Sequence, residues 1–185
     1  MLLTVGVIFT VLMIIAVVIH SSNNNARDEE KSEQEGYLQN EGITISNEYR
    51  FKNVMNDINI RFVIDGDAKK ILVSQTSATF DTIPYSEVIG CAVLIDSQIT
   101  GGIGRAVVGG VVAGDVGALV GAVTAKPHIM SYKIVIYRNS VSTPVYEIPL
   151  IKSKVSEKDI DYKNAVEFAN NVNSIIKVVL WFNQQ

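Results

Sequence analysis

The 185-residue sequence has little of what catalytic and metal-binding proteins commonly use. It contains one cysteine and two histidines, and its formal net charge is only −3. A single thiol cannot form an intramolecular disulfide, and no HExxH, CxxC or nucleophile-elbow motif is present. His20 and His128 are far apart in the sequence. We therefore expect no catalytic residue, no metal ion and no cofactor, and we predict that the protein is not an enzyme.

The net charge is small, but the charged residues are unevenly distributed along the chain. Residues 26–41 hold two basic and six acidic side chains, a net charge of −4, so the rest of the chain is close to +1. A nearly neutral domain lacks the positive surface that nucleic-acid binding requires. We therefore expect no DNA or RNA partner. Cys91 lies in the apolar run VIGCAVLI, which favours a small buried side chain over a reactive thiol.

The N-terminal segment, by contrast, is almost entirely apolar. Residues 2–19 carry no charge, and as a helix they reach about 27 Å, just short of a ~30 Å hydrocarbon core. The alternative is a cleaved signal peptide, but nothing basic precedes the run and no convincing A-x-A site follows it. We predict that residues 1–20 form a transmembrane anchor.

The residues that follow this segment bear on its orientation. Arg27 and Lys31 are the nearest basic residues and both lie after the apolar run. The positive-inside rule then favours an external N-terminus and a cytoplasmic C-terminal domain, in a single-pass protein of the cell membrane. Residues 21–41 are polar and acidic, and this composition predicts a flexible or loosely helical tether.

From residue 42 the pattern becomes one of short alternating strands. The Asp65-Gly66-Asp67 turn between two apolar runs is a strong hairpin signal. Residues 43–45 are either a first strand or a lead-in to the domain. The strands predicted beyond them are 60–64, 70–74, 79–83, 88–95, 131–138 and 145–151.

The last element has a helical period. Ser156 is a plausible N-cap, followed by acidic residues in the first turn. The apolar stripe consists of Ala165, Phe168, Ala169, Val172, Ile175, Ile176 and Val179. The opposite side is predicted to hold Lys163, Asn164, Glu167, Asn170, Asn171 and Asn173. Strands followed by one amphipathic helix indicate an α+β fold in which the stripe packs on a sheet.

Residues 83–89, Ile-Pro-Tyr-Ser-Glu-Val-Ile, resemble the IPY-S-[DE]-I step of bacterial pleckstrin-homology-like (PH-like or GRAM-like) domains. The glycine-rich stretch 101–126 resembles an element of membrane-anchored bacterial and phage-encoded proteins. The resemblance covers about residues 58–182. It implies a bent antiparallel β-barrel closed by the C-terminal helix, a scaffolding or membrane-proximal role, and no catalytic residue.

Small residues recur every fourth position in this glycine-rich stretch. One row is Gly109, Ala113, Gly117, Gly121 and Ala125; the other is Gly102, Ala106, Gly110, Gly114, Ala118 and Ala122. On a helix, such rows form the small-xxx-small surface on which membrane helices pack closely. Each glycine costs a helix about 1 kcal/mol relative to alanine, so we expect these rows to serve packing or self-association.

Two arrangements of this segment are open. A single helix over 103–125 could span a bilayer, but Asp115 would then lie near its centre at a cost of about 2.5–3.5 kcal/mol. Alternatively, Asp115 forms the turn of a helical hairpin, with halves 104–113 and 116–125 that are each too short to span. We favour the hairpin. Its apolar edges could be covered by the domain's own sheet, by the bilayer surface or by another copy of the chain.

Nucleotide binding is not expected, because the segment contains neither a Walker step nor a complete G-x-G-x-x-G. In the PH-like family the first hairpin can meet lipid headgroups, and here that region holds Arg61, Lys69 and Lys70. Asp65 and Asp67 oppose their positive charge. Trp181 and Phe182 are expected to close the core.

The sequence thus predicts a membrane-anchored, non-enzymatic interaction or assembly module. Its expected partners are the lipid bilayer, further copies of the chain and a protein that the sequence does not identify. The alternative is a membrane-active effector whose glycine-rich hairpin inserts and oligomerises in the bilayer.

Overall fold

The structure, a computed structural model, describes residues 28–75, 78–96, 98–104 and 128–185. The predicted anchor and most of the glycine-rich segment lie outside this part of the chain. Among the helices that the structure does describe, none combines the length and the apolar character needed to cross a bilayer. The chain divides into a small unit that includes residues 28–43 and a larger unit that begins at Thr44.

The small unit contains helix α1, residues 28–40, in the region where we expected a flexible or loosely helical tether. The helix ends in a Schellman motif, in which the N–H of Ile43 donates to the carbonyl of Leu38 and that of Gly42 to Gln39. Gly42 has a φ of 63°, a left-handed conformation that glycine adopts without steric cost. The helical part of the segment is therefore regular and has a defined end.

The larger unit consists of two antiparallel sheets and one long helix. The first sheet has the order β1-β2-β3-β4 and the second the order β6-β5-β7-β8. Helix α2, Ile160–Phe182, follows them. The strands are β1 Ile45–Asn53, β2 Ile58–Asp65, β3 Lys70–Gln75, β4 Asp81–Pro84, β5 Val88–Ile95, β6 Gln98–Gly104, β7 Tyr132–Arg138 and β8 Val145–Ile151.

Six of the eight strands are those that alternation predicted, and the β2–β3 hairpin is confirmed. Most of β1 was missed because its sequence, ISNEYRFKN, is polar and buries only Phe51 and Asn53 fully. Strand β6 was missed because it is glycine-rich and we assigned its second half to the insert. Gly102 lies in β6, where it pairs with Ala92 of β5, so the prediction that it belongs to a helical row was wrong. A helix that begins at Ile103 is excluded for the same reason, because Ile103 also lies in β6. The other residues of the two rows, and Asp115, lie outside the described residues.

The predicted closed barrel is also corrected, because the described strands form two separate sheets. A short 3-10 helix, Tyr85–Glu87, separates β4 from β5. Pro84 and Pro149 lack the N–H that would continue a ladder, and both lie in strands at the edge of a sheet. The backbone ladder is therefore interrupted where a barrel would have to close.

Side chains of β1 and of the turn after it join the two sheets at one seam. Asn53 is completely buried, and its amide nitrogen donates to the carbonyl of Leu150 in β8 at 3.2 Å. Asn56 accepts the N–H of Lys152 at 2.7 Å. These amide groups satisfy backbone atoms that a continuous ladder would otherwise pair.

A second set of contacts joins the first sheet to β8. The amide nitrogen of Gln75 donates to the carbonyl of Glu147 and to the hydroxyl of Tyr146, both at 3.0 Å. The Tyr146 hydroxyl in turn donates to Asp81 in β4 at 2.8 Å. Polar side chains, rather than backbone pairing, thus hold the edges of the two sheets together.

The core between the sheets is covered by α2, as the helical period predicted. All residues of the predicted stripe are buried except Ile175, which is partly buried against the core. The helix begins at Ile160 with Asp159 as its N-cap, so the prediction of Ser156 was wrong by three residues. Asn173 was assigned to the exposed side but is buried, and its side-chain oxygen has no hydrogen-bond partner.

We expect Asn53→Ala to lower the free energy of unfolding by about 2 kcal/mol, because it leaves buried backbone atoms unpaired at the seam. Chemical denaturation followed by circular dichroism measures this change. Asn47→Ala, at an exposed position of the same strand, is the matched control and should change stability by less than about 0.5 kcal/mol. Equal effects of the two substitutions would show that the seam contributes little.

Candidate functional site

Arg61, one of the three residues predicted to meet lipid headgroups, is committed to a structural contact. Its side chain is only 4% exposed. Its Nε donates to Oε1 of Glu48 at 3.0 Å and its Nη2 to Oε2 at 3.2 Å. The guanidinium also lies 5.8 Å from the centre of the Phe80 ring. Arg61 is therefore unavailable to a headgroup, and this part of the prediction is corrected.

The carboxylate of Glu48 responds to these contacts. Partial burial raises its pKa, but hydrogen bonds from Arg61 and Arg50 and the charges of both residues lower it more, so that the pKa lies below its ordinary value. An ionised Glu48 therefore stabilises the folded domain at neutral pH. Sequence reasoning could not find this pair, because Glu48 lies in the strand that alternation failed to predict.

Lys69 and Lys70 differ from Arg61 in their surroundings. Lys69 is exposed in the β2–β3 turn and Lys70 is half-buried at the start of β3. Neither forms an ion pair in the part of the chain that is described. Asp65 is buried and accepts the N–H of Ala68 at 2.9 Å, so one of the two opposing carboxylates is turned inward. Lys69 is therefore exposed to solvent and Lys70 is partly exposed.

The glycine-rich segment joins the domain at opposite ends of the central strand β5. Strand β6 ends at Gly104, which pairs with Gly90 near the start of β5. The chain returns in β7 at Tyr132, which pairs with Ile95 at the end of β5. The two points differ by five residues along the strand, roughly 17 Å. The connection is therefore a crossover between parallel strands that both flank β5, rather than a simple hairpin loop.

The end of α2 is fixed to the corner between β4 and β5. The side-chain amide of Asn183 donates to the carbonyls of Tyr85 at 2.6 Å and Val88 at 3.3 Å. At the same corner Glu87 accepts from Nη2 of Arg138 at 2.5 Å and from its Nε at 3.1 Å. The last turn of the helix is thus held in one place by polar contacts.

Trp181 and Phe182 lie on this last turn but do not close the core, as we had expected. They are 56% and 51% exposed, and their rings pack edge to face with centroids 5.2 Å apart. The helix period explains the result, because Val179 faces the core while the two aromatic residues follow on the outer side. Sequence reasoning missed this exposed aromatic pair.

The described residues offer no evident catalytic site. Burial raises the pKa of the Cys91 thiol to about 12, so at neutral pH the thiol is protonated and shielded. No group of three or more potential metal ligands occurs among the residues that the structure describes. An open depression along α2 is lined by residues of that helix alone, Tyr162, Lys163, Val166, Glu167, Asn170 and Asn171, and it does not enclose a small molecule.

The two sheets and the glycine-rich segment between β6 and β7 fall within a range that matches a known family. The sequence model described as "Glycine zipper containing PH domain" matches residues 42–152. This range covers more than half of the chain. The protein belongs to this family. No curated protein and no solved structure matches the chain.

Membership confirms the PH-like domain and the glycine zipper that the sequence predicted. The matched range begins at Gly42, which ends the Schellman motif after α1, and stops just after β8. The glycine-rich stretch 101–126, in which we predicted the zipper, falls inside it. Helix α2 lies outside the matched range, although its stripe belongs to the same core as the two sheets.

We expect Glu48→Gln to lower the free energy of unfolding by about 2 kcal/mol at neutral pH, because it removes the carboxylate that accepts two hydrogen bonds from the buried Arg61. The pKa of Glu48 is lowered in the folded state, so its contribution is present above the unfolded value of about 4.3 and is lost below it. The difference between wild type and variant should therefore shrink as the pH falls below about 4. Denaturation midpoints measured over a pH series test this.

Two further variants complete this test. Adding Arg61→Met to Glu48→Gln removes both charges and should recover most of the lost stability. Glu147→Gln removes the exposed partner of Lys133 and should change stability by less than about 1 kcal/mol. A Glu48→Gln variant as stable as wild type at neutral pH would contradict a structural role for the pair.

Proposed function

We propose that this protein is a non-enzymatic interaction module, anchored in the cell membrane by residues 1–20, whose glycine zipper mediates self-association. The family match supports the module and the zipper. The apolar character of residues 2–19 supports the anchor. The observation that carries the proposal is the recurrence of small residues at every fourth position within the matched range.

The zipper rows leave this segment with a close-packing surface and few charges. Between residues 105 and 127 the charged side chains are Arg105, Asp115 and Lys126, and only Asp115 is internal. Another segment of the same kind offers matching grooves for the small residues. When two or more copies associate, each zipper is therefore covered by another apolar surface lined with small residues.

The domain holds both ends of the glycine-rich segment in fixed positions for self-association. Both strands that flank the segment pair with β5, which is buried along most of its length. A module of this kind positions the zipper and presents binding surfaces without performing chemistry.

Substituting zipper glycines tests self-association. We expect the double variant Gly110→Leu and Gly117→Leu, in the full chain, to reduce association by about tenfold or more, because leucine prevents the close approach of two backbones. Chemical crosslinking in membranes and sedimentation in detergent measure the oligomeric state. The double variant Val111→Leu and Val120→Leu places leucines beside the small-residue rows rather than in them, adds only one methylene group at each position, and should associate as wild type does.

An unchanged oligomeric state in the glycine double variant would contradict the proposal. The alternative function, a membrane-active effector, has a separate test in the same preparations. Release of an entrapped dye from vesicles by the wild-type chain would favour the effector. Self-association without release favours the interaction module.

The anchor and its orientation are tested with a single new cysteine at Asn24. Cys91 is buried and its thiol pKa is raised to about 12, so it should not react with a membrane-impermeant maleimide while the domain is folded. We expect Asn24→Cys to be labelled only after the cell membrane is permeabilised, because the segment after the anchor should be cytoplasmic.

Labelling of Asn24→Cys in intact cells would instead place the domain on the outer side. Recovery of the chain in the soluble fraction would contradict the anchor itself. The unmodified chain, treated in parallel, is the control for reaction at Cys91, and it should become labelled only after denaturation.

A further inference from the structure

The chain from the predicted anchor and the first of the two zipper junctions meet the domain at the same end, whereas the zipper returns to the domain at the opposite end, before Tyr132. The chain from the predicted anchor enters the sheet at Ile45, which pairs with Asp65 beside the β2–β3 turn. The zipper leaves the second sheet at Gly104, opposite Gly90. Hydrogen bonds connect these two places: the N–H of Tyr85 donates to the carbonyl of Lys69, and Asn183 donates to the carbonyls of Tyr85 and Val88.

This end of the domain, which we call the aromatic end, exposes several apolar side chains. Trp181 and Phe182 project from the last turn of α2. A register shift in β5 between Val88 and Gly90 turns Ile89 outward. The exposed apolar residues at this end are Ile45, Ile89, Val141, Val178, Trp181 and Phe182. A tryptophan beside a phenylalanine, flanked by aliphatic residues, is the composition found where proteins meet the interfacial region of a bilayer.

Accessible positive charge lies beside the aromatic pair. Lys69 lies in the β2–β3 turn, where its carbonyl accepts the N–H of Tyr85, and Lys70 follows it at the start of β3. The carbonyl of the same Tyr85 accepts from Asn183, which follows the aromatic pair. Basic side chains near a membrane surface are attracted to the anionic lipids of the cytoplasmic leaflet. The aromatic end thus combines apolar groups that can enter the interface with ammonium groups that fit anionic headgroups.

The opposite end of the domain also exposes apolar residues, but its chemistry differs. Val54, Met55 and Met130 lie there, near the β1–β2 turn and the start of β7. Their surroundings include the carboxylate of Asp96, which accepts the N–H groups of Met130 and Ser131. This end has no exposed aromatic side chain among the described residues, and the chain from the anchor does not enter there.

We propose that the aromatic end lies against the membrane surface, with Trp181 and Phe182 in the interfacial region and Lys69 and Lys70 against anionic headgroups. The occupant is an anionic lipid bilayer rather than a second copy of the chain. This inference rests on the proposed membrane anchoring. It adds a specific orientation, in which the last turn of α2 and the first hairpin face the lipid and the β1–β2 turn faces away.

Trp181 is the only tryptophan in the chain, so its fluorescence reports on this end alone. The full chain is reconstituted in vesicles of phosphatidylcholine and phosphatidylglycerol, with or without bromine atoms near the headgroup end of the acyl chains. We expect the emission maximum of Trp181 to lie at a shorter wavelength in the vesicles than in the chain unfolded by denaturant. Brominated lipid should reduce the fluorescence intensity of Trp181 by about half. Flotation of the vesicles shows separately whether the chain is anchored.

Two matched controls locate the effect. Trp181→Phe combined with Met55→Trp moves the reporter to the opposite end, where bromine should not quench it. Lys69→Glu with Lys70→Glu should reduce the quenching of Trp181 by about half or more, because it replaces attraction to anionic lipid with repulsion. Lys154→Glu with Lys158→Glu makes the same charge change at exposed positions of the opposite end and should leave the quenching unchanged.

The possible failures are distinguishable. A chain that floats with the vesicles but whose Trp181 is not quenched retains the anchor and overturns the proposed orientation. A blue shift of Trp181 without quenching would show a protein contact at this end and would also overturn it. A chain that does not float would overturn the anchoring and this inference together. Quenching of Trp181, its absence at position 55 and its loss in the Lys69/Lys70 variant support the proposal.

Discussion

The structure depends on how the backbone hydrogen-bonding groups at the edges of its two sheets find partners. Both sheets contribute to one core, yet no backbone ladder runs between β4 and β5 or between β1 and β8. Asn53, completely buried, supplies an amide group to Leu150 where a strand would otherwise donate. The two sheets are not paired at the corner around Tyr85, and Asn183, at the end of α2, donates hydrogen bonds to the carbonyls there. The position of the aromatic pair follows from that arrangement.

Much of the fold was predictable, for reasons that particular elements show. The β2–β3 hairpin and the stripe of α2 follow from periods that local sequence records directly. Strand β1 was hidden because one of its buried residues is the polar Asn53. The side chain of Asn53 is satisfied by a hydrogen bond to Leu150, 97 residues away in the chain. Strand β6 was hidden because it is rich in glycine and because Gly102 also satisfies the spacing of a helical row. Pairing with β5 in the adjoining hairpin, where Gly102 lies opposite Ala92, decided between the two.

The candidate site was predictable only in part, because charge type does not reveal a side chain's partner. Arg61, Lys69 and Lys70 are close in sequence and carry the same charge. The structure uses Arg61 to balance Glu48 and leaves the two lysines accessible. The exposed aromatic pair was missed since a helix end beside Leu180 and Val179 resembles a core segment until the rotation of its last turn is known. Family membership accounts for the zipper and the PH-like sheets, and α2 adds a surface beyond the matched range.

The crossover at β5 has a mechanical consequence. Strand β6 lies at the edge of its sheet and is held by backbone bonds to β5 alone. A pull on the chain beyond Gly104 therefore acts on a single glycine-rich ladder, which can open one pair at a time from that end. A pull at the other junction meets β7, which is paired on both sides. The weaker junction is the one at the aromatic end, so tension in the zipper would lengthen the chain there before it disturbed the core.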